Sequence, residues 1–307
     1  MSKTVVIVPV WNGEKVIEEC LTSVLDQSNP SFDCVIVNDG STDATMDIVD
    51  RVIKRDGRFK VVQQEHQGLS VARNAGIATS DADIILHLDA DDLAKPDLVG
   101  HVEDFILSND LDMAIYDAVP ENKGISEFRF RGEQRYFFRR KAYGFGTGKE
   151  LLKRMLDGND YVYSTFLHAV RRKSIAADFC PGVRAQDQLH TTQCYLMMEK
   201  VGHLPETLIV KRCWPESVAY SPRGLHYAWS KMKCAFELAS FADRNGIEEE
   251  LVEPILNKMF GLMSDSFPVH RELDKEFLAS LPLFDRTMLV EMHALWRHGS
   301  RFHTRNE

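Results

Sequence analysis

Four short apolar runs, Thr4 to Val10, Cys34 to Asn38, Phe59 to Gln63 and Ile84 to Leu88, alternate with segments of helical period. Val16, Ile17, Cys20, Leu21, Val24 and Leu25 lay one apolar stripe on a helix. Met46, Val49, Val52 and Ile53 repeat the pattern, with Ser41, Thr42 or Asp43 placed to cap that helix, and Ser70 to Ala78 reads as a third. A strand covered on both faces reads as an unbroken apolar run, so this alternation calls for an α/β, Rossmann-like, mostly parallel sheet flanked by helices. Right-handed crossovers then place the ligand crevice beyond the carboxyl ends of the strands.

The residues at those ends are polar. Pro9, Val10, Trp11, Asn12 and Gly13 close the first run, Asp39, Gly40 and Ser41 the second, and Asp89, Ala90, Asp91 and Asp92 the fourth. Three carboxylates crowded at one strand tip repel one another unless a cation or hydrogen bonds hold them. Oxygen donors suit Mn2+ or Mg2+, which take one or two carboxylates together with phosphate oxygens of a substrate. The plainer alternatives are a solvated acidic turn, or Asp92 as a helix cap.

Further on, strands are expected at Met113 to Tyr116 and Leu208 to Lys211, and helices at Lys149 to Met155 and Asp187 to Lys200. Beyond Pro222 the chain reads as helical. Trp229, Met232, Lys233, Phe236, Ala239 and Ser240 share a face, and Glu249 to Met263 and Arg286 to Trp296 follow the same period. At 307 residues and 44% hydrophobic content, one large domain over 1–221 and a helical C-terminal extension over 222–307 are expected.

A net charge of -9 argues against a nucleic-acid binder, which must neutralise phosphates. Six cysteines without CxxC spacing suit reduced thiols better than a zinc site or a disulfide framework. Met1 to Lys3 runs into a short apolar stretch with no cleavage signal, and no run of eighteen apolar residues occurs, so a cytoplasmic location is expected, with contact at the inner face of the membrane left open. Between Arg129 and Arg154, seven further cations are interleaved with aromatics, a composition suited to an anionic acceptor, to a membrane surface, or to Arg stems packed on rings in a solvated segment.

Four motifs in order, Val8-Pro9-Val10-Trp11-Asn12-Gly13, Val37-Asn38-Asp39-Gly40-Ser41-Thr42-Asp43, Gly68-Leu69-Ser70-Val71-Ala72-Arg73-Asn74-Ala75-Gly76 and His87-Leu88-Asp89-Ala90-Asp91-Asp92, resemble the family 2 glycosyltransferases of the glycosyltransferase-A fold. The resemblance implies a nucleotide-binding half over 1–112 and an acceptor half over 113–221. It implies inverting transfer of a hexose or N-acetylhexosamine from a UDP-sugar to a hydroxyl of a growing surface glycan of capsule, lipopolysaccharide or teichoic-acid type, free or lipid-linked. By the same resemblance Pro9, Val10, Asn12 and Asp39 hold the base, Arg73 lies against base or phosphates, and Asp89 lies near the ribose. Asp91 is the principal metal ligand, beside Asp89 and Asp92, with His226 or His190 as a third kind of ligand.

In Arg184-Ala185-Gln186-Asp187-Gln188-Leu189, Gln186 stands where the family has Glu, and Asp187 is the expected general base. Lys211 to Val218 resembles a mobile segment that closes on the donor, with Arg212 and Ser217 as contacts. Against these stand an Asx turn at Asp39, a surface position for Arg73 and a helix cap at Asp187.

Among other classes, a dinucleotide oxidoreductase needs GxGxxG after the first strand, which is absent. A sugar-phosphate nucleotidyltransferase lacks, by resemblance, its Gly-rich phosphate loop. A non-catalytic saccharide-binding or scaffold protein has no use for Asp39, Asp91 and Asp187 together. The helical extension is a candidate for a homo-oligomer interface, a cover for the acceptor groove or a peripheral membrane contact.

Overall fold

The computed structural model describes residues 4–54, 56–127, 137–184, 186–217, 224–264, 275–281, 285 and 288–290. By contact the chain divides into two compact units, 1–182 with 186–221 and 183–185 with 222–307.

The first unit is built on one sheet. β1 (Thr4–Val10) is buried at every position, and β2 (Phe32–Asp39) at all but one, which is why neither alternates in polarity. β3 (Phe59–Gln64) lies at the edge, where its pattern mixes buried, partly buried and exposed residues. α1 (Ile17–Leu25) buries Ile17, Cys20, Leu21 and Val24, the stripe read from the sequence. α2 (Thr45–Ile53) starts where Asp43 Oδ1 accepts the Thr45 N–H at 3.0 Å. α3 (Leu69–Thr79) presses Gly76 so closely on β1 that a Cβ there would lie 2.4 Å from Ile7 Cγ2. β4 (Ile84–His87) completes a parallel quartet in the order β3-β2-β1-β4.

Beyond β4 the sheet becomes mixed. β5 (Leu93–Ala94), α4 (Leu98–Ser108), β6 (Met113–Asn122), β7 (Phe145–Gly146), α5 (Gly148–Asp157), β8 (His168–Arg171), α6 (Gln186–Met197) and β9 (Val201–Cys213) follow in the chain. Among the described residues nine strands form the sheet, and its second half runs β4-β8-β6-β9-β5, with β7 on β9. β8 enters antiparallel between β4 and β6, while β6 and β9 are parallel. β5, β7 and β8 have two to four residues each, too few to show a period. β9 extends well N-terminal to the expected Leu208, because a stretch containing Pro205, Glu206 and Thr207 breaks the apolar run and shifts the register against β6, while the strands pair on either side of it.

The second unit holds α7 (Leu225–Arg244), α8 (Glu249–Ser264) and α9 (Lys275–Ser280). The buried side of α7 carries Ala228, Trp229, Met232, Ala235, Leu238 and Ala242 rather than the face centred on Phe236. Phe236 is 40% exposed and meets Phe260 of α8 edge-on. The alanines at 228, 235 and 242 let the stripe pass beside Phe236, which a reading weighted to large residues misplaces. Of the expected helix at 286–296, only 288–290 are described, and they are helical.

Candidate active site at the carboxyl ends of the first strands

The loops after β1 and β2 are sewn together by their own side chains. Asn12, with φ of 49°, accepts the Thr42 N–H at 2.8 Å, and its N–H donates to Ser41 Oγ at 2.9 Å. Gly13 N–H donates to Thr45 Oγ1 at 2.8 Å. Pro9 and Val10 pair with Val37 and Asn38 and are buried, so they supply the floor of this end of the sheet rather than its lip. Trp11 stands out 52% exposed, stacked on His66 at 4.3 Å with 24° between the planes.

Asp39 ends β2 and is nearly buried. Its Oδ1 accepts the Gln67 N–H and Gln64 Nε2, its Oδ2 accepts the Gly68 N–H at 2.8 Å, and His66 Nδ1 lies 2.9 Å from Oδ2. A carboxylate has about four lone-pair sites, and here all four directions are occupied, so Asp39 organises the turn that opens α3. Gly40, with φ of 74°, makes that approach possible, since a Cβ there would lie 2.7 Å from the His66 backbone nitrogen.

Arg73 is fully buried on the inner side of α3. Nη2 donates to Asp89 Oδ1 at 2.8 Å and Nη1 donates to Asp187 Oδ1, so one guanidinium joins the fourth strand tip to the start of α6. The surface alternative for Arg73 is thereby replaced, and Asp187, in the first turn of α6, spends its side chain on Arg73. Burial opposes the charge on Arg73, but Asp187 and Asp89 more than offset it and raise its pKa.

Asp89, Asp91 and Asp92 each offer an oxygen within 4.8 Å of the others. Asp89 and Asp91 are 22% and 24% exposed, and such a hard-oxygen pair suits Mn2+ or Mg2+. Asp92 is buried differently. Lys211 Nζ lies 3.0 Å from its Oδ1 and 3.1 Å from its Oδ2, and the Arg212 N–H donates to Oδ1 at 3.1 Å. Lys211 also reaches Asp91 Oδ1 at 3.5 Å. Burial alone would discharge this ammonium, but Asp91, Asp92 and Asp89 reverse that and hold its pKa well above the ordinary lysine value.

Arg212 corrects an expectation. It belongs to β9, its side chain is fully buried, and it donates to the Asp91 carbonyl at 2.6 Å, to Glu19 Oε2 at 2.5 Å and to the Val16 carbonyl at 3.1 Å. It therefore clamps α1 to the acidic loop and is no mobile donor contact. Ser217 follows in a turn whose N–H donates to the Trp214 carbonyl, and the remainder of that segment, 218–223, lies outside the described residues.

His190 is also corrected as a metal ligand. It is buried, stacked on Phe179 at 3.8 Å, and its Nδ1 faces Cys194 Sγ. Phe179 meets His87 on its edge and Arg73 over its ring. Burial, with Arg73 nearby, depresses His190 to about 3; burial, then His190, Arg139 and Arg73, bring His168 to about 3; His87 is likewise lowered. Three neutral imidazoles thus underlie the site. His226 lies in the first turn of α7, within the second unit, its ring tilted against Trp229 at 5.5 Å.

In the basic, aromatic stretch, 128–136 lies outside the described residues. Three described arginines are engaged within the chain, Arg139 with Asp117, Arg140 with Asp160, and Arg154 with the carbonyls of Tyr143 and Phe145, and these three brace it internally. The sequence gives no role to His66 or Lys211, and names Trp11 at the first strand tip without assigning it one. The available signals were a large aromatic directly after a fully buried strand, and a Lys-Arg pair near the end of another.

The family model for glycosyl transferase family 2 matches residues 5–179, and this chain belongs to that family. It is 29% identical over 214 residues to the glycosyltransferase GlyA of Streptococcus pneumoniae serotype 4, a match that covers 68% of this chain and 30% of GlyA, so the chain spans less than a third of that relative's length. Among solved structures it is similar to the 1–349 segment of S. aureus TarS in complex with UDP-GlcNAc, with a TM-score of 0.67 and 22% identity, covering 94% of this chain and 79% of that one. It is also similar to the mannosyltransferase PcManGT of Pyrobaculum calidifontis in complex with GDP-Man and Mn2+, with a TM-score of 0.58 and 18% identity, covering 95% and 80%. The architecture is the glycosyltransferase-A fold.

Proposed function

We propose that this chain is a metal-dependent glycosyltransferase that moves a hexose or N-acetylhexosamine from a UDP-sugar to a hydroxyl of a surface glycan, with inversion and with Asp187 as base. The observation that carries this reading is the Arg73 bridge, which sets a carboxylate from α6 beside the donor-side carboxylate Asp89. A base for the acceptor hydroxyl must stand within reach of the anomeric carbon of a sugar whose diphosphate lies at the acidic loop. UDP-GlcNAc in TarS and Mn2+ in PcManGT support the choice of donor and ion.

Asp89 and Asp91 are assigned to hold Mn2+ or Mg2+, which when bound neutralises charge on the leaving diphosphate. Asp187 is 28% exposed and offers Arg73 one oxygen, so its other oxygen is assigned the hydroxyl proton. Arg73 fixes the orientation of that carboxylate. Trp11 and the Asp39-held turn form the walls for the base, and a base edge reaches Asp39 only by replacing Gln64 or His66. Ser217 remains assigned to the donor.

The test is calorimetric titration with UDP, GDP and CDP, each with Mn2+ and then with EDTA. Manganese-dependent binding of UDP in preference to the others is expected. Absence of nucleotide binding under every condition would sink the reading in favour of a non-catalytic saccharide binder.

A further inference from the structure

We propose that Lys211 is a built-in counter-cation of the acidic loop and that it sets how strongly the loop takes up a divalent ion. The inference rests on the reading that Asp89 and Asp91 hold that ion.

Lys211 is almost enclosed. Its side chain is 9% exposed, its ammonium lies 5.2 Å from the Phe166 ring centre, and its backbone is paired with Pro120 of β6 inside the sheet. The ammonium lies 3.0 Å from Asp92 and 3.5 Å from Asp91, so it is held against one of the carboxylates assigned to the ion. A buried stem on a paired strand keeps this charge in place, unlike a surface lysine that can swing away.

The charges can be counted. Four carboxylates, Asp89, Asp91, Asp92 and Asp187, face two cations, Arg73 and Lys211, while Arg212 is matched by Glu19. Two negative charges remain, which one divalent ion neutralises. Without Lys211 three would remain, and the loop would attract the ion more strongly. At a few ångströms in a partly buried site such a charge is worth at least a tenfold change in affinity, at order-of-magnitude level. Lys211 therefore keeps ion binding weak until a diphosphate adds its own oxygens.

The test is Mn2+ affinity without nucleotide, read by paramagnetic resonance of the free ion. Lys211→Met is expected to bind Mn2+ about tenfold or more tightly than the native chain, and Lys211→Arg about as the native chain does. Lys211→Met leaves Asp92 buried and unpaired, so the same change is also made in an Asp92→Asn background, where the pair is removed together. Asp92→Asn alone should weaken Mn2+ binding, and adding Lys211→Met should restore it to about the native value. A loss of fold would lower affinity throughout and never raise it. Unchanged or weaker binding on replacing Lys211 in both backgrounds would overturn the inference while leaving the metal site standing. Absence of Mn2+ binding by every variant, with or without UDP, would overturn the metal site and this inference with it.

Discussion

Arg73 is the residue on which both sides of the site depend. A guanidinium with no exposure is tolerated because two carboxylates reach it, and removing it strands both. Arg73→Met is expected to cost about 3–5 kcal/mol in chemical denaturation, and no loss of stability would show that the bridge is incidental. Asp91, beside this bridge on the acidic loop, and Asp187 should separate by function. Asp91→Asn is expected to abolish transfer together with manganese-dependent UDP affinity. Asp187→Asn should lower turnover by about two to four orders of magnitude with UDP affinity nearly intact. Equal loss of UDP affinity in both would end that division of roles. The motifs in the sequence marked Arg73, Asp89, Asp91 and Asp187, because each stands in a short string with its own local signature. They did not show that Arg73 joins two of the others, nor that Lys211 and Arg212 back the acidic loop. Asp187 lies 114 positions from Arg73, and Lys211 and Arg212 lie 119 and 120 from Asp92, and a contact at such separation leaves no local trace.

At the level of elements, continuous apolar runs disclosed β1, β2 and β4, because burial on both faces leaves only one kind of residue to use. β5, β7 and β8 were silent, since strands of two to four residues are specified by their neighbours. The sheet is mostly parallel as expected, but the antiparallel direction of β8 was hidden in the sequence. The contact between α3 and β1 makes a sharp test of packing. Gly76→Ala places a methyl against Ile7 and should destabilise by about 2–3 kcal/mol, measured by urea denaturation; a neutral result would mean that α3 can lift from β1 at little cost.

For the whole molecule, the buried histidines make stability depend on pH. His168 and His190 have folded pKa values of about 3 against about 6.5 when unfolded, so the unfolded chain binds more protons as pH falls through that window. Stability is therefore held above about pH 6.5 and lost on acidification, by about 1.4 kcal/mol per pH unit for each such group. Denaturation midpoints at pH 7, 6 and 5 should fall in that order, and His190→Gln should fall less steeply. A flat profile would mean that these imidazoles are not buried neutral.

The clamp from Arg212 to Glu19 spans 193 positions, the Lys211 contact to Asp92 spans 119 and the Arg73 contact to Asp187 spans 114. During synthesis the nucleotide-side loops therefore leave the ribosome long before the residues that complete them. A nascent chain released before Asp187 would expose an acidic tip without its lysine and an arginine without its second carboxylate. Such closure of distant segments is slow to find, and the site should be the last part of the first unit to mature.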